Sequence, residues 1–432
     1  MSVRRFDAAA PGFADAFGKF LSLRRAQGTE DVHAKTAVII RDVRERGGAA
    51  VAEYTQRFDA VALDPDTLEA NGIDMFEAAE RCKPDVREAL SFAAGRIEAY
   101  HAHQKPQDHL FKDPAGLELG WRWTAVDAVG LYVPGGRASY PSSVLMNAIP
   151  AKAAGVKRIA MVSPVPGGEM NPAVAYAAVR AGVTEFYPIG GAQAVAALAY
   201  GAGRLKPVDK IVGPGNAYVA AAKRIVFGDV GIDTIAGPSE ITVVADNQNK
   251  PEWIAADLLS QAEHDPLAQS ILITDDAEWA SKVEVALERQ IAQLATGKTV
   301  SQAWTDHGAI VIAPLGSSAA IVNQIAPEHV ELAVADPDAI AKDVRHSGAI
   351  FLGRYAPEAL GDYVTGSNHV LPTSGAARFA SGLSVLDFMK RTSIQRISED
   401  GFRHLARAAE TLAAAEGLPA HGLSISIRRS EG

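Results

Sequence analysis

The chain has 432 residues, 48% of them hydrophobic and 22% charged, which is typical of a globular protein with about two to four folding units. Its 42 basic and 51 acidic residues give a net charge of −9, which disfavours nucleic acid or an anionic membrane as the main partner, because both attract basic surfaces. The lack of an apolar run of about 18 residues and of a secretory signal, together with a single cysteine, Cys82, predicts a cytoplasmic protein without membrane spans or internal disulfides.

The first 100 residues are predicted to be mostly helical, with helical patterns at 33–46, 48–58 and 74–101. Short β-branched runs then end at Gly or Pro and precede Ala-rich helices. These runs lie at 129–136, 158–168, 185–191, 209–216, 240–246, 270–276, 309–314 and 348–353. The alternation predicts β-α units around two mostly parallel sheets. A helix at 400–415 and a tail follow, and the tail is too short to own a core, so we expect it to pack on another element.

Three glycine-rich turns, at 134–136, 190–191 and 213–215, end strands of the first predicted sheet and precede helices. Glycines let a ligand approach the backbone and a helix N-terminus favours an anion, although each turn alone is equally well explained as ordinary β-α turn chemistry. Because all three lie at the carboxyl edge of one sheet, together they predict a nucleotide crevice. Neither a GxGxxG fingerprint nor a Walker sequence is present.

Side chains able to bind a metal occur in the second half of the chain. Gln261 and His264 are three residues apart on a predicted helix and therefore share a face. Asp362 and His421 follow far downstream, and an amide oxygen, imidazoles and a carboxylate are all ligands that Zn²⁺ accepts. A polar pair near a helix end is also common on an ordinary surface, so the spacing alone leaves both interpretations open.

Eight ordered segments resemble the histidinol dehydrogenase family, and the resemblance extends from about residue 30 to the tail. The segments are LYVPGG at 131–136, GGAQAVAALAYG at 190–201, GPGNAYVA at 213–220, IDTIAGPSE at 232–240, LLSQAEHDP at 258–266, APEHVEL at 326–332, GDYVTGSNHVLPT at 361–373 and GLSVLDFMKRTS at 382–393. The resemblance implies an enzyme that uses Zn²⁺, one ion per subunit, and NAD to oxidise L-histidinol to L-histidine through bound L-histidinaldehyde, the last step of histidine biosynthesis. It also implies two incomplete Rossmann-like α/β modules of the aldehyde dehydrogenase type, with small N- and C-terminal segments.

The resemblance assigns roles position by position. It implies that the metal ligands are Gln261, His264, Asp362 and His421, and that the acid/base pair is Glu328 and His329. The implied substrate contacts are Ser239, Gln261, His264, His329, Asp362, His369, Glu416 and His421. The implied cofactor contacts are Tyr132, Gln193 and Asn216.

Four segments are expected from the pattern and the resemblance together. They are an N-terminal helical segment at 1–27, a discontinuous α/β module with the metal and catalytic residues at 28–131 and 238–383, an NAD-binding α/β module at 132–237, and a C-terminal helix and tail at 384–432. The tail either folds back on its own subunit or crosses to a neighbour. The resemblance favours crossing, which predicts a homodimer whose sites each take Glu416 and His421 from the other chain.

Oxidation of an alcohol to an acid requires these residue types independently of the resemblance. Loss of a hydride from an alcohol carbon needs a base for the hydroxyl proton, and the imidazole of His329, with a pKa of about 6.5, suits that task. The aldehyde must then gain water, which Glu328 could activate. A thiol route is disfavoured because nothing in the sequence around Cys82 marks it as activated. For the zinc, polarisation of the alcohol oxygen and orientation of the substrate are both possible roles, and the resemblance favours orientation.

Other interpretations stay open on the residues alone. Ser239 could be a turn hydroxyl, His369 a hydrogen-bonded loop residue and Glu416 a surface carboxylate at a helix end. The chain could also be a related zinc and NAD dehydrogenase of another polar alcohol. A zinc hydrolase or a non-catalytic binding protein, neither of which needs NAD, is the third possibility, and NADH formation with histidinol distinguishes all three.

Overall fold

The structure is a computed structural model and describes residues 3–25, 30–135, 140–235 and 237–429. Its strands are β1 (Arg4–Asp7), β2 (His109–Lys112), β3 (Glu118–Ala125), β4 (Ala128–Tyr132), β5 (Arg158–Val162), β6 (Glu185–Tyr187), β7 (Lys210–Val212), β8 (Gly231–Ile232), β9 (Glu240–Ala245), β10 (Gln269–Thr274), β11 (Ala309–Ile312), β12 (His329–Ala333), β13 (Ala349–Leu352) and β14 (Met389–Arg396).

The α-helices are α1 (Phe13–Arg25), α2 (Glu30–Arg46), α3 (Gly48–Asp59), α4 (Met75–Glu80), α5 (Pro84–Ala102), α6 (Pro141–Ala154), α7 (Pro172–Ala181), α8 (Gly191–Tyr200), α9 (Ala217–Val226), α10 (Pro251–Ala262), α11 (Ala277–Ile291), α12 (Gly297–His307), α13 (Ser318–Ile325), α14 (Pro337–Ala341), α15 (Glu358–Tyr363), α16 (Glu399–Ala415) and α17 (Pro419–Arg429). Short 3₁₀ turns lie at Pro166–Gly168, Leu315–Ser317, Ala376–Arg378 and Val385–Phe388. Within the described ranges, no helix combines the length and the apolar character that crossing a membrane requires.

Contacts group the chain into two compact units. The first unit comprises Met1–Gln104 and Asp127–Phe388, and the second comprises Lys105–Val126 and Met389–Gly432. The first unit contains a five-stranded and a six-stranded sheet, both parallel, and the second contains a three-stranded antiparallel sheet.

The five-stranded sheet has the order β6-β5-β4-β7-β8. Counted along the chain this is 3-2-1-4-5, the order of a Rossmann sheet without its sixth strand. Small residues allow a close approach of α8 to the sheet, since a Cβ at Gly130 of β4 would lie 2.7 Å from the side chain of Leu198. The order reverses between β4 and β7, so the carboxyl ends of these strands form the expected ligand crevice.

The six-stranded sheet has the order β1-β11-β10-β9-β12-β13, in which β9 to β13 repeat the 3-2-1-4-5 pattern and β1 is added at one edge. Every residue of β9 and β10 is buried, as expected for parallel strands with helices on both faces. Side chains of α10, α11 and α12 form the core on one face, and those of α1 and α13 form the core on the other. This topology confirms the predicted pair of incomplete Rossmann-like modules.

The second unit combines its sheet, of order β14-β3-β2, with a helical hairpin. The helix α16 begins after Ser398, whose side chain accepts a hydrogen bond from the Gly401 amide. The helix α17 packs back on α16. The hairpin leaves apolar side chains of Leu412, Leu423 and Ile427 exposed.

The eight predicted strands are all present, although their bounds differ by a few residues. The structure adds β8 and β12. β8 has only two residues, and β12 overlaps the segment APEHVEL, in which charged residues interrupt the apolar run typical of a buried strand. The predicted tail is a helix, α17. Gly136 of the turn predicted at 134–136, and residues 430–432 of the tail, lie outside the described residues.

Two features differ from the predicted segments. The segment at 1–27 is not purely helical, because it starts with β1, whose sequence RRFD is too short and too charged to indicate a strand. The strand β14 lies in the segment at 384–432, which was predicted as a helix and tail, and was not predicted. The strands β2 and β3 were not predicted either, and 105–126 groups with the C-terminal unit rather than with 28–131. Their pairing with β14 joins residues far apart in sequence, which local patterns do not reveal. The other segment limits stay a prediction.

Candidate active site

A cavity of about 940 Å³ lies between the two parallel sheets of the first unit. One wall is the turn Gly213–Asn216, which follows β7 at the carboxyl edge of the five-stranded sheet. The opposite wall contains Ser239 and Glu328, which precede β9 and β12 at the amino edge of the six-stranded sheet. The cavity brings together Asn216, Ser239, Gln261, His264, Glu328, His329, Asp362 and His369 from the predicted site residues.

Gln261 and His264 lie at the end of α10. The helix ends at Ala262, so His264 lies just beyond it rather than on it, but its amide donates to the Gln261 carbonyl at 3.2 Å and keeps the two residues one turn apart. The His264 Nδ1 lies 3.2 Å from the hydroxyl of Ser239. The Gln261 side chain is buried, and neither its oxygen nor its nitrogen has a hydrogen-bond partner in the part of the chain that the structure describes.

Glu328 and His329 are both tied to the backbone of Glu240. The Glu240 amide donates to Glu328 Oε2 at 3.0 Å, and His329 Nδ1 donates to the Glu240 carbonyl, also at 3.0 Å. Burial raises the pKa of Glu328 well above its usual value, and nearby carboxylates add to this effect. Burial lowers the pKa of His329. The ring is therefore neutral with its proton on Nδ1, and Nε2 presents a lone pair.

Asp362 and His369 form the next part of the wall. The pKa of Asp362 is raised to about 9 by burial and by the neighbouring charge of Glu358. His369 Nδ1 donates to the Asp362 carbonyl at 2.9 Å, and its Nε2 lies 3.3 Å from the Ser143 hydroxyl. Burial lowers the pKa of His369 to about 4, so this imidazole is neutral. Because its one proton is on Nδ1, Nε2 can only accept a hydrogen bond.

Glu358 completes this buried cluster, and the sequence interpretation missed it. It is the first residue of α15 and lies one turn from Asp362, so the i, i+4 spacing within APEALGDY was the available signal. Its Oε1 lies 3.8 Å from His329 Nε2, and Ser260 Oγ lies 3.0 Å from its Oε2. Burial opposes its ionisation, but His329 and the neighbouring donors outweigh burial and lower the pKa of Glu358.

The cluster fits a divalent cation. Ligand atoms of His329, Glu358 and Asp362 lie within 4.8 Å of one another, and the oxygen of Gln261 is buried without a partner among the described residues. Nitrogen and oxygen donors of this kind suit Zn²⁺. A bound cation would also offset the cost of burying two neighbouring carboxyl groups, which the raised pKa of Asp362 reflects.

Glu416 and His421 belong to the second unit, whereas the residues around the cavity belong to the first. Glu416 caps the end of α16 and His421 lies in the first turn of α17, and both side chains are exposed. Their assigned roles stay a prediction.

The predicted cofactor residues all lie near the carboxyl edge of the five-stranded sheet. The Tyr132 hydroxyl, at the end of β4, accepts a hydrogen bond from the Gly191 amide at 3.1 Å, and burial raises the pKa of Tyr132 to about 12. Gln193, in the first turn of α8, is buried, and neither amide atom has a partner among the described residues. Asn216 caps α9 by accepting from the amides of its first turn. Of the three, Asn216 alone lines the cavity.

A buried ion pair that the sequence interpretation also missed holds the turn before α9. Lys223 Nζ donates to the Gly213 carbonyl at 2.8 Å and pairs with Asp233. The Asp233 carboxylate in turn accepts from the Gly213 amide at 2.8 Å. Both polar groups of the Gly213 backbone are therefore fixed by one ion pair, which sets the course of the turn that leads to Asn216.

Cys82 does not line the cavity. It is buried, and burial raises the pKa of its thiol, which makes it a poor nucleophile near neutral pH.

Comparisons with known proteins agree on one family. A sequence model of the histidinol dehydrogenase family matches residues 22–429. Histidinol dehydrogenase from Caulobacter vibrioides is 58% identical over 430 residues and covers 100% of both chains, and that from Rhizobium meliloti is 56% identical over 421 residues and covers 97% of each. A crystal structure of histidinol dehydrogenase from Elizabethkingia anophelis superimposes with a TM-score of 0.92 at 34% identity, covering 99% of this chain and 98% of that one.

Proposed function

Because this chain belongs to the histidinol dehydrogenase family, we propose that it oxidises L-histidinol to L-histidine in two NAD-dependent hydride transfers through bound L-histidinaldehyde. The reaction would complete histidine biosynthesis. One observation carries the proposal for this site: His329 is a neutral imidazole whose Nε2 accepts no hydrogen bond from any described residue, beside Glu328 on the wall of the cavity.

In the first oxidation His329 acts as the general base. Its Nδ1 is committed to the Glu240 carbonyl, so the hydroxyl proton of histidinol passes to Nε2 as the carbon loses its hydride. The resulting imidazolium lies beside Glu358, whose carboxylate 3.8 Å away stabilises the positive charge.

In the second oxidation Glu328 activates the water that hydrates the aldehyde. A carboxylate in a buried site is a stronger base than one in solution, and the raised pKa of Glu328 suits it to take a proton from water. The hydrate then carries the hydroxyl proton that His329 removes as the second hydride leaves.

The metal site would consist of Gln261, His264 and Asp362 with His421. When bound, Zn²⁺ would orient the nitrogen atoms of the substrate. Ser239 and His369 line the same cavity and offer a hydroxyl and a neutral imidazole to the substrate. Glu416 would accept a hydrogen bond from the substrate.

NAD would bind along the carboxyl edge of the five-stranded sheet. The turn that ends at Asn216 lines the cavity and leads into the N-terminus of α9, which favours a pyrophosphate. The unsatisfied amide of Gln193 supports a polar ligand near Tyr132 and α8, because a buried polar group without a partner is costly.

We further infer a cytoplasmic homodimer whose two sites each take Glu416 and His421 from the partner. The exposed apolar side chains of Leu412, Leu423 and Ile427 on the helical hairpin support a covered surface there. A single cysteine fits a reducing compartment.

The direct test is NADH formation by the purified, zinc-loaded protein with L-histidinol and NAD. We expect activity with histidinol, and a loss of about 100-fold or more in His329→Asn, because a general base contributes at least that factor. Activity with another amino alcohol but not with histidinol, or full activity in His329→Asn, would contradict the proposal.

A further inference from the structure

The helix α6 contains a backbone carbonyl that its own hydrogen bonds do not satisfy. Pro150 lies inside the helix and has no N–H, so the Met146 carbonyl lacks the donor that a helix normally provides four residues later. Met146 is fully buried, and water therefore does not replace that donor. Instead, Nδ2 of Asn368 donates to the Met146 carbonyl at 2.6 Å. A proline in one element thus creates the acceptor that a side chain from a distant loop uses.

Asn368 directly precedes His369, which lines the cavity. Its side chain is buried, and its Oδ1 accepts from the Val370 amide at 2.9 Å. The His369 ring also reaches α6, where its Nε2 lies 3.3 Å from the Ser143 hydroxyl. Ser143 and Met146 are three residues apart, which is less than one helical turn. The two adjacent side chains of the loop therefore contact the same short stretch of α6.

His101 of α5 fixes which way the Asn368 amide faces. The Nδ1 of His101 lies 2.7 Å from Gln104 Oε1, which also accepts from the Val385 amide at 3.3 Å. Because that oxygen only accepts, Nδ1 carries the proton, and Nε2 accepts from Asn368 Nδ2, 3.4 Å away. Burial lowers the pKa of His101, in agreement with a neutral ring. The NH₂ group of Asn368 thus has two acceptors, one on α5 and one on α6.

We propose that Asn368 is a positioning residue, which places the His369 ring in the cavity by donating the hydrogen bond that Pro150 withholds from the Met146 carbonyl. The earlier part of the loop is held separately, since Arg96 donates to the carbonyls of Val364 and Thr365. Asn368 is therefore the anchor next to His369. The proposal rests on the substrate contact of His369 in the proposed function, and the family resemblance assigns no role to Asn368.

The first test measures equilibrium binding of L-histidinol to the zinc-loaded protein by calorimetry, without NAD. We expect Asn368→Ser to weaken binding by about 3–10-fold, the factor that one hydrogen bond from a well-placed ring contributes. Asn249→Ser is the matched control. Asn249 is also buried and its Nδ2 also donates to a carbonyl at 2.6 Å, that of Ala333, but it does not line the cavity. Binding in this control should stay within about twofold of the unchanged protein.

A His369→Ala background shows whether Asn368 acts through the ring. Once the ring is absent, adding Asn368→Ser should cause no further loss of L-histidinol affinity. An equal loss in both backgrounds would show that Asn368 acts by another route, and would overturn the proposal. Unchanged binding in Asn368→Ser alone would overturn it as well.

A Pro150→Ala background separates positioning from the stability of α6. The amide introduced at 150 can donate to the Met146 carbonyl, so Asn368→Ser should lower the free energy of unfolding in urea less in this background than in the unchanged protein. The new amide does not hold the loop, however, so Asn368→Ser should weaken L-histidinol binding by the same factor relative to Pro150→Ala. Normal binding in the double variant would mean that only the helix needs the hydrogen bond, and would overturn the proposal.

An NMR spectrum of isotope-labelled histidine rings tests the positioning without substrate. The signal of His369 is the one missing in His369→Ala, and we expect it to shift in Asn368→Ser but not in Asn249→Ser. An unshifted signal in Asn368→Ser would overturn the proposal. Normal L-histidinol binding in His369→Ala is a distinct outcome, because it contradicts the substrate role of His369 in the proposed function and leaves the ring signal to decide the positioning.

Discussion

Glu240 anchors two adjacent side chains through opposite ends of its own backbone. Its amide holds the Glu328 carboxylate and its carbonyl holds the His329 ring, so Nδ1 of His329 lies 3.7 Å from Glu328 Oε2. Burial then acts on the pair in opposite directions, raising the pKa of Glu328 and lowering that of His329. Two neighbouring groups with shifted pKa values are suited to divide the proton transfers of two oxidations.

Glu328→Gln tests this division of labour. The amide keeps the size of the side chain but cannot take a proton from water, so oxidation of supplied L-histidinaldehyde should fall by about 10²–10⁴-fold. Interconversion of histidinol and the aldehyde should persist, because His329 serves that step. Stopped-flow measurement of NADH absorbance in both directions gives the two rates. His329→Asn is the comparison and should slow the first oxidation. Aldehyde oxidation at the normal rate in Glu328→Gln would show that another group activates the water.

The family resemblance assigned roles to these residues, and the chemistry requires the same residue types. The motifs around Glu328, His329 and Asp362 contain the residue types that alcohol oxidation and metal binding need, and the structure brings them to one cavity. Glu358 was missed because its importance depends on neighbours from α10 and β12, and only the fold sets those distances. The pairing of Lys223 with Asp233 was missed for the same reason.

At the scale of elements, the cavity combines opposite edges of two similar sheets. The side proposed to bind NAD consists of loops after β4 and β7, where the strand order predicts a ligand crevice. The side proposed to carry the catalytic groups instead consists of residues before β9 and β12 and the last turn of α10. Because α10 runs back across its sheet between β9 and β10, its C-terminus returns Gln261 and His264 to the amino edge, beside Glu328.

Lys223→Met should disrupt the turn before α9. The substitution leaves the buried Asp233 carboxylate with the Gly213 amide as its remaining donor among the contacts described above. Breaking a buried ion pair in this way costs about 3–5 kcal/mol. The free energy of unfolding in urea should fall by that amount, and the KM for NAD should rise if enough folded protein remains. Lys282→Met is the control, because its pair with Glu278, at 3.1 Å, is exposed on both sides, so we expect a loss of no more than about 1 kcal/mol. Equal stability of the two variants would show that the Lys223 pair does not hold the turn.

The ion pair between β5 and β6 predicts a pH dependence. Arg158 bonds both carboxylate oxygens of Glu185, at 2.7 and 3.0 Å, and this bonding lowers the pKa of Glu185 below its usual value. A lowered pKa in the folded state stabilises the protein above the unfolded pKa of about 4.5, and this contribution disappears as the pH falls through the folded value. Because both side chains are partly exposed, we expect about 1 kcal/mol.

The measurement compares Glu185→Gln with the unchanged protein by urea unfolding between pH 7 and pH 3. The difference in unfolding free energy should be largest near pH 7 and shrink as the pH falls below about 4.5. A difference that grows on acidification would contradict the assigned direction of the pKa shift.

At the scale of the whole molecule, the repeated strand order explains why the fold class was predictable. Alternation of buried strands with Ala-rich helices is a local signal, and it identified eight of the strands in the two parallel sheets. The second unit was not predictable in the same way, because β3 pairs with β14 across more than 250 residues of sequence. β1 was missed because one edge strand of four residues has too little pattern to recognise.

The proposed homodimer predicts complementation between two inactive variants. If His421 serves the partner's site, a hybrid of His421→Ala and His264→Ala subunits contains one site with both histidines intact. Subunit exchange should then restore part of the activity, up to half per hybrid dimer. Mixtures that form hybrid dimers, checked by native mass spectrometry, but stay inactive would show that the tail serves its own subunit.

If one cavity carries out both oxidations, the yield of NADH per L-histidinol reveals it. With limiting histidinol and excess NAD, we measure NADH by absorbance and identify the product by mass spectrometry after the reaction ends. The proposed roles of His329 and Glu328 predict two NADH for each histidinol consumed, with L-histidine as the product. One NADH per histidinol, with L-histidinaldehyde released, would contradict them.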